Sequence, residues 1–262
     1  EVWFMIHKPD DRIYNRYSYL HPKLIVIDDE WLIIGTQNLT YSSLPSDDKH
    51  DGTAGSRGTL IAKNAPSVVQ CGIEIITSDL DPQHHNDLLR WNQGYLETYG
   101  PPNPNAIDLS TPNWTSYTIQ FSAPIHISGD THFEFFTAPE AALRQTDALL
   151  GLINRASTGD SIEVEQAYEY LAWGEDPVLE PNLRLQAYLN AAHRGARVRL
   201  LLNGHGFIPD FDHPPEENLE TVAYLREQAK IHNLNIQAAV GNPAELGIHN
   251  KMVLVNLGDR KS

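Results

Sequence analysis

The chain opens on short apolar runs separated by polar loops. Positions 2–6 and 19–27 read as strands, and an acidic turn, Asp28-Asp29-Glu30, joins the second run to another at 31–34. Two apolar runs across a short acidic turn predict a β-hairpin. A Gly/Asp/Ser-rich loop over 42–58 precedes a short strand at 59–62, and helix-like patterns follow at 66–72 and 81–98. The second pattern begins with Asp81-Pro82, a good N-cap and N1 pair. Pro101, Pro102, Pro104 and Pro112 make 100–115 the linker candidate, which divides the chain into domains 1–115 and 116–262.

Beyond about residue 130 the pattern alternates strand and helix. Strand 133–136 leads to a helix at 139–156, strand 162–168, a helix at 181–194 ending at Gly195, and strand 198–202. A helix at 216–232 and strands 236–240 and 251–255 complete the series. This alternation predicts an α/β fold with a mostly parallel sheet covered by helices. Ligands of such sheets sit beyond the carboxyl ends of the strands, which points to the loops 169–181 and 203–215.

Composition narrows the class. With 262 residues, 41% of them apolar, the chain can bury a sizeable core without staples. Its longest apolar runs, 148–153 and 31–34, are too short to cross a bilayer. The single cysteine, Cys71, excludes an intrachain disulfide and a multi-cysteine metal site, and its apolar-rich segment predicts burial. A net charge of −15 disfavours nucleic acid and anionic membrane as partners unless the few cations are concentrated locally. Glu1 enters directly into a strand pattern and Ser262 closely follows one. A fragment is therefore expected, completed by missing segments of the same polypeptide.

The chemistry lies in a repeat. His21-Pro22-Lys23 is followed by four apolar residues and Asp28; His249-Asn250-Lys251 is followed by four apolar residues and Asn256. His-x-Lys alone would arise about 0.3 times by chance at this composition, and the shared continuation makes coincidence a poor account. Residues two apart on a strand share a face, so each histidine lies beside its lysine. An imidazole next to an ammonium suits a phosphate, because the lysine neutralises non-bridging oxygens while the histidine attacks or moves a proton. By the same parity Asp28 and Asn256 fall on the other face or at the strand end. Two such strands meeting face to face would supply a nucleophile and an acid–base group.

The first copy continues into Gly35-Thr36-Gln37-Asn38. His-x-Lys-x4-Asp followed by Gly-[Ser/Thr]-x-Asn resembles the signature of the phospholipase D superfamily. The segment 162–168, Ile-Glu-Val-Glu-Gln-Ala-Tyr, is also similar to a strand of that family's second domain. The resemblance implies two pseudo-repeated α/β/α sandwich domains with mostly parallel sheets, here incomplete. It implies a metal-independent phosphodiester hydrolase or transferase with no cofactor, working through a phosphohistidine. His21 is then the nucleophile and His249 the acid–base group. Lys23, Lys251 and Asn38 hold phosphoryl oxygens, Thr36 supports them, and Asp28 completes the motif. Asn256 departs from the usual Asp, which keeps hydrogen-bonding capacity and removes a charge.

Other residues are candidates for lining the substrate. Glu165 and Gln166 lie on the polar strand, and His205 and Phe207 lie on the second rim loop with Ile208 and Phe211. Trp173 and Leu179 on the first rim loop could meet an acyl chain, which favours a phospholipid or similar phosphodiester. Arg194, Arg197 and Arg199 read as charges at a helix C-terminus, and His84-His85 as a solvated face. Two alternatives stay open at this level, a nuclease of the same superfamily and a catalytically degenerate binding module.

Overall fold

In the first strands, apolar residues find partners on either side of an acidic turn. The computed structural model describes residues 3–5, 21–39, 58–81, 88–90, 129, 132–134, 136–138, 142–174, 179–204, 216–241 and 247–258. The chain divides into two compact units. One holds Glu1–Gly35, Asp47–Gly52 and Ile61–Ser116; the other holds Thr36–Ser46, Thr53–Leu60 and Tyr117–Ser262.

In the first unit, β1 (Trp3–Met5) is followed by the hairpin of β2 (Lys23–Ile27) and β3 (Trp31–Gly35). Ile27 faces Trp31 across the turn, and Glu30 N donates to Ile27 O at 3.0 Å. Asp28 and Asp29 take φ of 50° and 55°, a left-handed pair that short polar side chains tolerate and that matches strand twist. β4 (Leu60–Lys63) joins this sheet in the order β2-β3-β4. Helix α1 (Pro66–Asp79) starts with proline at its first position and buries Val68, Val69 and Gly72. A Cβ on Gly72 would come within 2.6 Å of Leu32, which is wholly buried, so the glycine lets α1 lie close to β3.

Two expectations fail here. Within the helix expected at 81–98, residues 88–90 form a strand, β5 (Leu88–Arg90), antiparallel to β1. A short Leu-rich run fits either period, and the partner strand decides. Cys71 is exposed, because it lies off the Val68–Val69–Gly72 stripe. Among the described residues the pairings β1–β5 and β2–β3 are antiparallel, and the parallel pairings lie in the second unit.

The second unit runs α2 (Ala148–Asn154), β6 (Ser161–Gln166), α3 (Leu183–His193), β7 (Arg197–Leu202), α4 (Glu216–His232), β8 (Ile236–Val240) and β9 (Lys251–Asn256). Its sheet has the order β8-β7-β6-β9, parallel across β8, β7 and β6 and antiparallel between β6 and β9. Helices and parallel strands in alternation make this an α/β unit. α4 packs on β8, α3 on β7 and α2 on α3. Ile162, Val198, Leu202, Leu150, Ile153, Leu225 and Tyr188 form its core. A wholly buried Leu or Ile stabilises by roughly 2 kcal/mol relative to exposure.

The other face of this sheet is more open. Leu201, Met252 and Leu254 are exposed there, and Glu163 pairs with Arg197 and Arg199. Those two arginines are sheet residues and not helix-terminal charges. Arg194 does serve a helix end, because its guanidinium donates to Ala156 O at 3.0 Å and to Ile153 O, just beyond and within α2.

The strand expected at 133–136 and the long helix expected at 139–156 are replaced. Residues 132–134 and 136 lie in no regular element, and among the described residues of 139–156 only α2 is helical. Ala148, with φ of 52°, cannot continue a right-handed helix from before it, and its N–H donates to the Glu134 carboxylate at 2.9 Å. Among the described residues no helix is long and apolar enough to cross a membrane.

Candidate functional site

Both His-x-Lys copies are built alike. Lys23 is the first residue of β2 and Lys251 the first of β9, so each histidine stands two residues before a strand. The Lys23 ammonium donates to His21 O at 2.7 Å, and the Lys251 ammonium to His249 O at 2.9 Å. His21 and Lys23 belong to the first unit; His249, Lys251, Thr36 and Asn38 belong to the second. Partial burial holds the Lys23 ammonium below the usual lysine range, since desolvation penalises the charge.

In the second unit the site lies at the carboxyl edge of the parallel strands. β9 runs antiparallel to β6, so its beginning meets the end of β6, with Lys251 opposite Gln166. Ala167 N donates to Asn250 O at 2.9 Å, and Ile248 N donates to the Asn203 side chain at 3.0 Å. Asn203 follows β7, so the approach to His249 is fixed across the ends of two strands. Gln166 is buried beside Lys251.

The imidazole is held from the other side. His249 Nδ1 lies 2.7 Å from Thr36 O, and a carbonyl only accepts, so Nδ1 carries the proton. Lys251 Nζ lies 3.1 Å from Nδ1 and 3.0 Å from Nε2. The in-plane axes of the two nitrogens diverge, so an equidistant ammonium is aligned with neither. Thr36 and Thr59 hydroxyls both donate to the Asn250 side-chain oxygen, at 3.1 and 2.8 Å. The sequence reading missed Thr59 and Asn250. The polar residue between His249 and Lys251, where the first copy has Pro22, was the available signal.

Asp28 lies at the far end of β2, in the exposed left-handed turn, five residues and about 17 Å of extended chain from Lys23. It shapes the hairpin, at the strand end where parity placed it. Glu165 pairs with Met252 on the sheet face opposite to Gln166 and Lys251. Asn38 follows Thr36 and is half-buried. Asn256 ends β9, where its side chain accepts from Gly258 N at 3.0 Å. His205, Phe207, Ile208, Phe211 and His84-His85 lie outside the described residues.

The first rim loop is anchored by a buried carboxylate. Glu169 is wholly buried and accepts from Asn182 at 2.6 Å and Arg184 at 3.0 Å. Asn182 also caps α3, accepting from Arg184 N and Leu185 N. Asn218 and Thr221 of α4 bond the loop backbone at Glu169. Farther out, Tyr170, Ala172, Trp173 and Leu143 line an open hollow of about 650 Å³, and Leu179 is 78% exposed. Among the described residues no group of three or more His, Cys, Asp or Glu is placed to hold a metal ion.

No protein-family model matches the chain, and no curated protein sequence matches it.

Proposed function

We propose that the protein is a phospholipase D-like phosphodiester hydrolase and transferase acting on phospholipid-like substrates. The observation that carries this reading is the shared build of the two His-x-Lys copies, each with its ammonium folded onto the histidine carbonyl at the head of a strand.

In this reading the His21 imidazole attacks phosphorus, forming a P–N bond as the P–O bond to the alcohol breaks. His249 gives the leaving alkoxide its proton. Water or an acceptor alcohol then gives its proton to His249 and attacks phosphorus, which breaks the P–N bond. Lys23 and Lys251 neutralise the phosphoryl oxygens, without which the anionic diester repels a nucleophile. Thr36 orients His249 through its carbonyl, and Asn38 contributes to the phosphoryl site. Asn256 stands at the strand end remote from Lys251, which supports a reading in which its replacement of Asp leaves this chemistry in place.

A lipid substrate is favoured over nucleic acid by the −15 charge and by the apolar hollow on the rim loop. The test is cleavage of phosphatidylcholine and of plasmid DNA by the wild type and His21→Ala, with ethanol added to the lipid assay. Lipid cleavage and a phosphatidylethanol product, both lost in His21→Ala, are expected. DNA cleavage alone would make the protein a nuclease, and no His21-dependent cleavage of either would make it a binding module.

A further inference from the structure

We infer that Asn250 is a positioning residue, which holds His249 in one tautomer by clamping the Thr36–Thr59 backbone pair against the start of β9. The inference rests on the proposed reading of His249 as the acid–base group. All its members lie in the second unit.

The clamp is a closed set of hydrogen bonds. Thr36 N donates to Thr59 O at 2.9 Å, and Thr59 N donates to the Thr36 hydroxyl at 3.0 Å. Both hydroxyls then donate to the one Asn250 side-chain oxygen, using both of its lone pairs. Asn250 is only 2% exposed and its own carbonyl takes Ala167 N, so the anchor cannot swing with the pair. This fixes the position of Thr36 O, the acceptor for His249 Nδ1. With Nδ1 carrying the proton, Nε2 is the nitrogen left to take and give the catalytic proton.

Asn250→Ala would remove the acceptor the two threonine hydroxyls share, leaving Thr36 Oγ1 its 3.5 Å contact to Thr59 O, and let the Thr36 carbonyl move. A displacement of about 1 Å at such a group can cost on the order of 100-fold in rate. The serine at position 36 in Thr36→Ser keeps the hydroxyl, whereas Thr36→Val keeps shape and carbonyl and removes it.

The experiment is ¹⁵N correlation NMR of the His249 ring in the full chain, combined with kcat and KM on phosphatidylcholine vesicles. Wild type and Thr36→Ser are expected to show the Nδ1-protonated tautomer. Asn250→Ala and Thr36→Val are expected to show mixed tautomers and a kcat lower by about 10- to 100-fold, with KM changed less than about threefold. Wild-type tautomer and kcat in both variants would overturn the inference. Should Asn250→Ala fail to fold, the Thr36→Val and Thr36→Ser pair decides alone. A wild type inactive on every diester would remove the proposed function, while the ring tautomers would still report the clamp.

Discussion

His249 Nδ1 lies 2.7 Å from the carbonyl oxygen of Thr36, and this bond puts the ring proton on Nδ1. A group that protonates a leaving alkoxide matters most when the alcohol is a poor leaving group. His249→Ala should therefore slow cleavage of an alkyl diester by at least about 100-fold, and slow a p-nitrophenyl diester much less. His21→Ala should be inactive on both. The reverse pattern would exchange the two roles, and steady-state kinetics on the two diesters decide.

In the proposed reaction the half-buried Lys23 ammonium should set the alkaline limit. Its pKa is lowered by desolvation, so it loses its charge below the pH at which an exposed lysine would. kcat/KM should fall on the alkaline side before pH reaches about 10.4, the ordinary lysine value, and Lys23→Arg should move that limb upward. The stability sign is opposite. Between the two pKa values the unfolded chain binds more protons, so Lys23 adds stability as pH rises through that window. An alkaline limb unmoved by Lys23→Arg would show that another group sets it.

Tyr188 gives the other sign. Burial, reinforced by the nearby Glu169 carboxylate, pushes its hydroxyl far above the ordinary tyrosine value. Its stability contribution is complete below about pH 10 and is lost as pH climbs toward the folded value, because the unfolded tyrosine ionises first. Its buried hydroxyl also finds no protein partner among the described residues. Tyr188→Phe should flatten the alkaline loss of stability and raise stability at pH 7 by about 1 kcal/mol. Urea unfolding at pH 7 and pH 10.5 measures both, and a destabilised phenylalanine variant would contradict the account.

Glu169 and Arg184 form a pair with one wholly buried partner. Removing the cation leaves a buried carboxylate uncompensated, so Arg184→Met should cost about 3 kcal/mol. Adding Glu169→Gln to it should recover part of that loss, because the remaining group is then neutral and still contacts Asn182. Chemical denaturation of the single and double variants reads the coupling directly. Additive losses would show that the pair is not coupled.

In the proposed reaction histidines supply the nucleophile and the acid–base group, and lysines supply the neutralising charge. Hydrolysis should survive EDTA with less than about a twofold loss, and added divalent ions should not raise it. Activity abolished by EDTA and restored by a divalent ion would count against the mechanism.

The second unit was more legible than the first. Strand 236–240 and helix 216–232 occur where the pattern placed them, and Gly195, with φ of 94°, ends α3 as expected. Long amphipathic elements repeat their signal several times, so single exceptions do not obscure it. The three-residue strand Leu88–Arg90 carries too few positions to reveal a period, and Ala148's left-handed backbone leaves no trace in composition.

The sequence by itself determined which residues could do chemistry, because His-x-Lys at the head of an apolar run fixes neighbours two residues apart on one strand. It also determined that Asp28 could make a turn, because that too is a local backbone preference. Only the tertiary structure decided that β9 runs antiparallel to β6, which sets Lys251 beside Gln166 and puts Glu165 on the opposite face. It likewise brought Thr36 and Thr59 onto Asn250, residues 214 and 191 positions apart. Hydrogen bonds between distant segments have no period in the chain, so they exist only once the sheet has set which strand ends meet.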